Sequence, residues 1–220
     1  MDARGVLADV ARLGPFFAVA TNPAESVDPT WRPLRDLYTD PVPLRDRIAH
    51  VRRTLGSDER VAASIAFQGL AARILSAPFA AVVLHGVLPG WTPDAVHWRA
   101  SASGPWPLWT DAPLADGTDV AAAVVEEHMV PLVAAVRAQV AISEQILWGS
   151  VASSVSSARG QVATRRPAAA ARATALAEEL LSAGRLAGSA ELRPFRRRSC
   201  CLYYRVPGGG LCGDCVLQSR

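Results

Sequence analysis

The sequence predicts an α+β fold that is predominantly α-helical: a helical domain with a small β-sheet, followed by a short C-terminal segment of different character. Three observations predict it. Long apolar-rich runs, bounded by capping residues, glycines and prolines, dominate the chain. Only three short stretches, FFAVA (16 to 20), AVHWRAS (95 to 101) and PWPLWT (105 to 110), read as strands. All four cysteines lie in CCLYYRVPGGGLCGDC, residues 200 to 215, and none precedes it. We therefore divide the chain into a mostly helical domain with a small β component over 1–190 and a cysteine segment over 191–220.

Taken in order, a first amphipathic helix is expected over residues 2 to 13, stopped by Gly14-Pro15, with the FFAVA strand after it. TNPAESVDPTWRPLRDLYTDPVP carries five prolines and reads as an ordered surface loop. Helix resumes near Leu44, and one or two packed helices are expected from about Asp58 to Leu84, with Ser57 or Asp58 as the cap. Gly90 and Pro93 break the chain before AVHWRAS, and PWPLWT can pair with that strand across a Ser-Gly-Pro turn. From Thr118 the chain is helical again, with Pro131 set to kink or split it. VAISEQILWGSVASSVSSARG places Ile142, Ile146, Leu147 and Val151 along one side, and its small residues invite close approach by another element. A third helix is expected from Pro167 to about Ala183, with proline in its first turn and Gly184 just past its end.

Composition excludes several functions. Half of the 220 residues are apolar and a fifth charged, the balance of a chain that buries a core. The net charge of +3 implies neither nucleic acid nor an anionic membrane as partner. There is no lysine, which excludes a P-loop, a pyridoxal phosphate enzyme and a protein kinase. Gly-x-Ser-x-Gly, His-Glu-x-x-His and a Gly-x-Gly-x-x-Gly after a strand are also missing. The N-terminus lacks a signal-peptide pattern, and no run of about 18 uncharged apolar residues predicts a transmembrane helix. We expect a cytoplasmic protein, in which clustered cysteines bind metal or do redox work more often than they form disulfides.

The cysteine spacing is Cys200-Cys201, ten residues, Cys212, two residues, Cys215. Two disulfides, a structural zinc and an iron–sulfur cluster compete for it. Cys212-x-x-Cys215 is a good zinc half-site. Cys200 and Cys201 are adjacent, however, and adjacent side chains of extended backbone point to opposite sides. A two-iron cluster relaxes the demand for convergence on one ion, and it too takes four thiolates. Gly208, Gly209, Gly210 and Gly213 would permit positive φ and expose amides toward sulfur. In the last thirty residues Arg193, Arg196, Arg197, Arg198, Arg205 and Arg220 face only Glu191 and Asp214, a local charge of +4. These cations either offset an anionic cluster or form a solvated face.

RRRSCCLYYRVP followed by CGDC resembles the C-terminal signature of the FhuF family of ferric siderophore reductases, whose Cys-Cys-x10-Cys-x2-Cys pattern is reproduced in full. LWGS at 147 to 150 is similar to the family's Trp-Gly pair, with Ser150 where the family often has asparagine. The resemblance implies a C-terminal iron–sulfur cluster loop, with a 2Fe-2S cluster held by Cys200, Cys201, Cys212 and Cys215 in the 191–220 segment. It implies one-electron reduction of siderophore-bound Fe(III), which weakens binding because Fe(II) suits hard oxygen donors less well. The protein needs no acid, base or nucleophile of its own for this. It does need a separate electron donor, such as a ferredoxin or flavoprotein reductase, and could touch a siderophore transporter at the inner face of the membrane. Arg197, Arg198, Tyr204 and Arg205 are candidate substrate or partner contacts beside the cysteines, with Tyr203. A siderophore-associated binding protein stabilised by zinc or by an iron–sulfur cluster, or a redox sensor, stays open as the alternative.

Two further clusters are weighed. Glu126-Glu127-His128 is the one carboxylate–histidine group, and a solvated helix face is expected for it. Trp91, Trp98, Trp106 and Trp109, with Arg99, are expected to pack the small sheet, with a ligand cleft as the other use.

Overall fold

The computed structural model of the protein describes residues 1–219; Arg220, one of the counted cations, lies outside the described residues. α1 (Ala3–Val10) starts where Asp2 accepts the Gly5 amide at 2.9 Å, and it continues as a 3-10 turn, Ala11–Leu13. After Gly14 comes β1 (Val19–Ala20), the short strand expected there. The five-proline segment is not a plain loop. Proline supplies the start of a 3-10 turn (Pro23–Val27) and an edge position in β2 (Arg32–Pro33), and α2 (Asp36–Thr39) follows. α3 (Pro41–Leu55) begins earlier than Leu44, because Asp40 caps the Val42 amide at 2.9 Å and Pro41 fits the first helical position.

α4 (Glu59–His85) is one uninterrupted helix, capped by Asp58 through the Val61 amide and closed by Gly86 in the left-handed region. It packs against α1, α3 and two later helices, α6 (Glu144–Arg165) and α7 (Ala170–Ser182). By length and composition α4 could cross a membrane, but its apolar stretch is 72% buried inside the bundle. Its apolarity thus serves a core helix. Among the small residues of α6, Ser150 and Ser154 are buried and return their hydroxyls to the carbonyls of Ile146 and Ser150. Pro131 splits its segment as expected, into a π-helical stretch (Ala121–Met129) and α5 (Val130–Gln139).

β3 (His97–Trp98) and β4 (Leu108–Trp109) pair antiparallel, and the sheet order is β1-β4-β3-β2 with β1 and β4 parallel. The four tryptophans are core. Trp98 stacks on Trp106 at 4.6 Å, while Trp91 and Trp109 give their indole N–H groups to the carbonyls of Ile74 and Asn22. Arg73, buried on α4, donates to the carbonyls of Trp106, Phe16 and Ala18, which fixes the Phe16–Ala18 turn and the sheet on the bundle.

His128 departs from the solvated face expected for it. Glu126 and Glu127 are exposed, but His128 is fully buried. Its Nε2–H donates to the Trp91 carbonyl at 2.9 Å, and its Nδ1 accepts from the Tyr38 hydroxyl at 2.7 Å. Burial lowers its pKa to about 4 from 6.5. The folded state therefore keeps it neutral, whereas the unfolded chain protonates below about 6.5. Stability from this group is present above pH 6.5 and is lost as pH falls toward about 4, by about 3 kcal/mol. Urea unfolding of wild type and His128→Gln across that range should show the pH dependence reduced by this amount in the variant. Parallel curves would refute the assignment.

Candidate metal centre

The residues after α7 form a hairpin that the sequence did not announce: β5 (Ala190–Leu192) and β6 (Phe195–Arg197), with Ala190 opposite Arg197. It packs on α6 and α7 and delivers Ser199 to α6. There the Ser199 hydroxyl donates to the Gln145 carbonyl at 2.7 Å. Gly149 makes room for it: a Cβ on Gly149 would lie 2.1 Å from Ser199 Oγ. On the other side, Ser64 of α4 donates to the Cys201 carbonyl at 2.8 Å. Cys200 and Cys201 are thus held between two core helices.

The second cysteine pair is tied to the first by backbone. The Arg197 amide donates to the Asp214 carbonyl at 3.1 Å, and Cys215 closes a turn onto the Cys212 carbonyl at 3.0 Å. Arg205, at the end of the 3-10 turn Tyr203–Arg205, pairs with Asp58 at 2.8 Å and anchors the intervening loop to the start of α4. Of the four loop glycines, two are used for what only glycine allows. Gly208 has φ of 72°, and a Cβ on Gly209 would meet the Tyr203 carbonyl at 2.5 Å. Gly210 and Gly213 have neither constraint. The amides that reach sulfur are also not glycine amides, because Leu202 donates to Cys200 Sγ at 3.3 Å and Leu217 to Cys215 Sγ at 3.4 Å. Leu202 does so from a left-handed conformation with φ of 67°, which costs a leucine on the order of 1 kcal/mol.

Cys201 Sγ and Cys212 Sγ are 3.7 Å apart, and Cys200 interacts with both Cys201 and Cys215. Cys201 and Cys215 are buried, whereas Cys200 and Cys212 are partly exposed. All four are free thiols, and 3.7 Å is far longer than a disulfide bond of about 2.0 Å. Two thiolates on one tetrahedral metal at ~2.3 Å stand about 3.8 Å apart, so the 201–212 pair has the span of two ligands on one metal. Among the described residues, no three His, Cys, Asp or Glu side chains converge on a single ion. The donor set, four free thiols in one segment, fits a group that takes four thiolates.

Arg197 supplies the charge. Its side chain is 0% exposed, its Nη2 donates to Cys212 Sγ at 2.6 Å and its Nε lies 3.0 Å from Asp214 Oδ2. Burial works against its charge, but Cys201, Asp214 and Cys212 outweigh that and raise its pKa. Nε and Nη1 have no aligned acceptor; the Asp214 contact is close enough for an ion pair but misses hydrogen-bond geometry. Buried donors left over beside four sulfurs are what an anionic group between the cysteines would satisfy. Burial pushes the Cys200 and Cys212 thiols up, so four packed thiolates need a metal to take their charge.

A family model described as ferric iron reductase FhuF-like transporter matches residues 66–200, more than half of the chain. The chain belongs to the FhuF-like ferric iron reductase family. A second model, the FhuF 2Fe-2S C-terminal domain, matches residues 197–217, so the cofactor of this FhuF-like protein is a 2Fe-2S cluster and its role is ferric reduction in general terms. No curated protein gives a significant match to the chain.

The structure corrects one expected contact. Arg197 cannot touch a substrate or partner, because it is buried beneath Cys212. Arg198 is exposed and lines a small pocket of about 330 Å³ with Trp148 and Ser199. Tyr204 is 47% exposed, and Arg205 is engaged with Asp58. Trp148 packs near the site and donates to Glu144 at 2.8 Å. Ser64 and Ser199 were missed. Gly149 next to Trp148 was the one sequence signal that pointed to their neighbourhood.

Proposed function

We propose that this FhuF-like protein is a ferric siderophore reductase of the cytoplasm, with Cys200, Cys201, Cys212 and Cys215 as the four cluster ligands. The observation that carries it is the gathering of the four free thiols, with Cys201 and Cys212 3.7 Å apart and the buried Arg197 guanidinium donating to Cys212. When bound, the 2Fe-2S group supplies one electron at a time. The chain's own residues hold it through four thiolates, offset its negative charge through Arg197 and shield one side of it with the bundle. The product Fe(II) binds oxygen donors more weakly and leaves the chelate. A separate donor, a ferredoxin or flavoprotein reductase, returns the electron.

Anaerobically purified protein should be red-brown, contain about two irons and two sulfides per chain, and give an S = ½ EPR signal after dithionite. The reduced protein should then convert the Fe(III) complexes of desferrioxamine B, ferrichrome or enterobactin to Fe(II), trapped with ferrozine. A colourless protein with one zinc would end the proposal. A cluster that reduces none of the chelates would leave a carrier or sensor in its place.

A further inference from the structure

Beside the Cys201–Cys212 pair the bundle opens. A cleft of about 590 Å³ runs between the Gly14–Phe17 turn, α4 and α6, and both of those cysteines line it while Cys200 and Cys215 do not. Its walls have a distinctive make-up. Phe16 and Tyr203, 37% and 42% exposed, stand in its lining, among the few large apolar side chains the protein leaves in solvent. Gln68 of α4 and Gln161 and Arg165 of α6 face it, and among the described residues none of these three side chains has a hydrogen bond or ion pair. Arg73 grips the Phe16 and Ala18 carbonyls and fixes the turn that makes the outer wall. Apolar walls with a few uncommitted polar groups are the make-up of a small-molecule site, and the volume lies in the range of such sites. Two of the four sulfurs border it, and electron transfer slows steeply with distance.

We propose that this cleft is the seat of the ferric chelate, with Gln68, Gln161 and Arg165 as its polar contacts and the Cys201–Cys212 edge as the point of electron exit. The inference rests on the reductase reading above. In the step, one electron crosses from that edge to the chelate, Fe(III) becomes Fe(II), and no bond to the protein forms or breaks. The one-electron donor protein restores the electron afterwards. The carboxamides and the guanidinium hold the ligand shell, and Phe16 and Tyr203 cover its apolar backbone.

Two variants plug the cleft from opposite walls: Gly69→Phe on α4, where a Cβ would meet nothing within 4 Å, and Ser157→Phe on exposed α6 surface. Both should keep the wild-type visible spectrum and midpoint potential, which shows that fold and cluster are intact. The probe is whichever of the three ferric chelates the wild type reduces fastest, together with its redox-inert gallium(III) form. Titration calorimetry should show the gallium chelate binding roughly tenfold or more weakly to each variant. Re-oxidation by the ferric chelate should slow by a similar factor, while re-oxidation by ferricyanide, which needs no seat, should not. If the wild type reduces a chelate and both variants bind and reduce it equally well, the cleft is overturned and the reductase reading stands. If the wild type reduces none of the three, both fall together.

Discussion

Replacing Arg197 with methionine is expected to lower the cluster's midpoint potential by roughly 60–130 mV. Reduction adds negative charge to an already anionic group, and Arg197 is a fully buried cation donating to Cys212 Sγ. A hydrogen bond from a charged donor contributes about 1.5–3 kcal/mol, and for a one-electron couple about 1.4 kcal/mol corresponds to 59 mV. The sign is fixed: removing the cation disfavours the reduced state more than the oxidised one. Asp214 complicates the single variant, since it would be left facing the sulfurs without its counter-charge. Arg197→Met with Asp214→Asn removes that second effect and should recover part of the shift. Arg197→Lys keeps the charge but loses the planar fork, so its potential should fall between wild type and methionine. Spectroelectrochemical titration of the four proteins gives the order. An unchanged potential in Arg197→Met would show that the guanidinium has only a packing role.

The second large effect is expected at Gly149. Its Cα faces Ser199, the residue before Cys200, across a gap too small for one methyl group. Gly149→Ala must turn the Ser199 hydroxyl away from the Gln145 carbonyl or push the strand off α6. Overpacking of this kind costs about 1–3 kcal/mol, and here the cost falls on the segment that carries two of the proposed ligands. Iron content should drop well below wild type. Ser199→Ala alone loses one part-exposed hydrogen bond and should retain the cluster. The double variant Gly149→Ala, Ser199→Ala relieves the clash, since Ser199 Cβ lies 3.5 Å from the added methyl, and should recover iron relative to Gly149→Ala alone. Strict additivity of the two changes would refute the contact as the cause.

Much of the fold was legible because its signals are local. Asp58 before an apolar run, Pro131 inside one and Gly184 after one each act within a turn of their own position, and the helices start, split and stop there. The sheet pairing of AVHWRAS with PWPLWT was also readable from alternation and an intervening turn. What escaped depends on distant partners. His128 looks like the neighbour of two exposed glutamates until Tyr38 and Trp91 are folded over it. Arg197 looks like one cation in a run of three until β6 turns it inward. The β5–β6 hairpin is short and charged, and its pairing is stabilised mainly by what lies beneath it. At the site, the spacing of the cysteines left disulfides, zinc and an iron–sulfur cluster open, the two-iron group was what the family resemblance implied, and neither indicated which sulfurs associate. Nor could any pattern in α4 single out Ser64, whose partner is 137 residues away.

The anchoring of Cys201 to α4 and of Ser199 to α6 bears on how the protein is made. Both helices precede the cysteines in the chain, and N-terminal parts of a domain leave the ribosome first. The surfaces that receive the ligand loop can therefore be in place before any sulfur ligand has been synthesised. Iron and sulfide then have a folded berth to be loaded into, and maturation becomes the closing of a short flap over an assembled body.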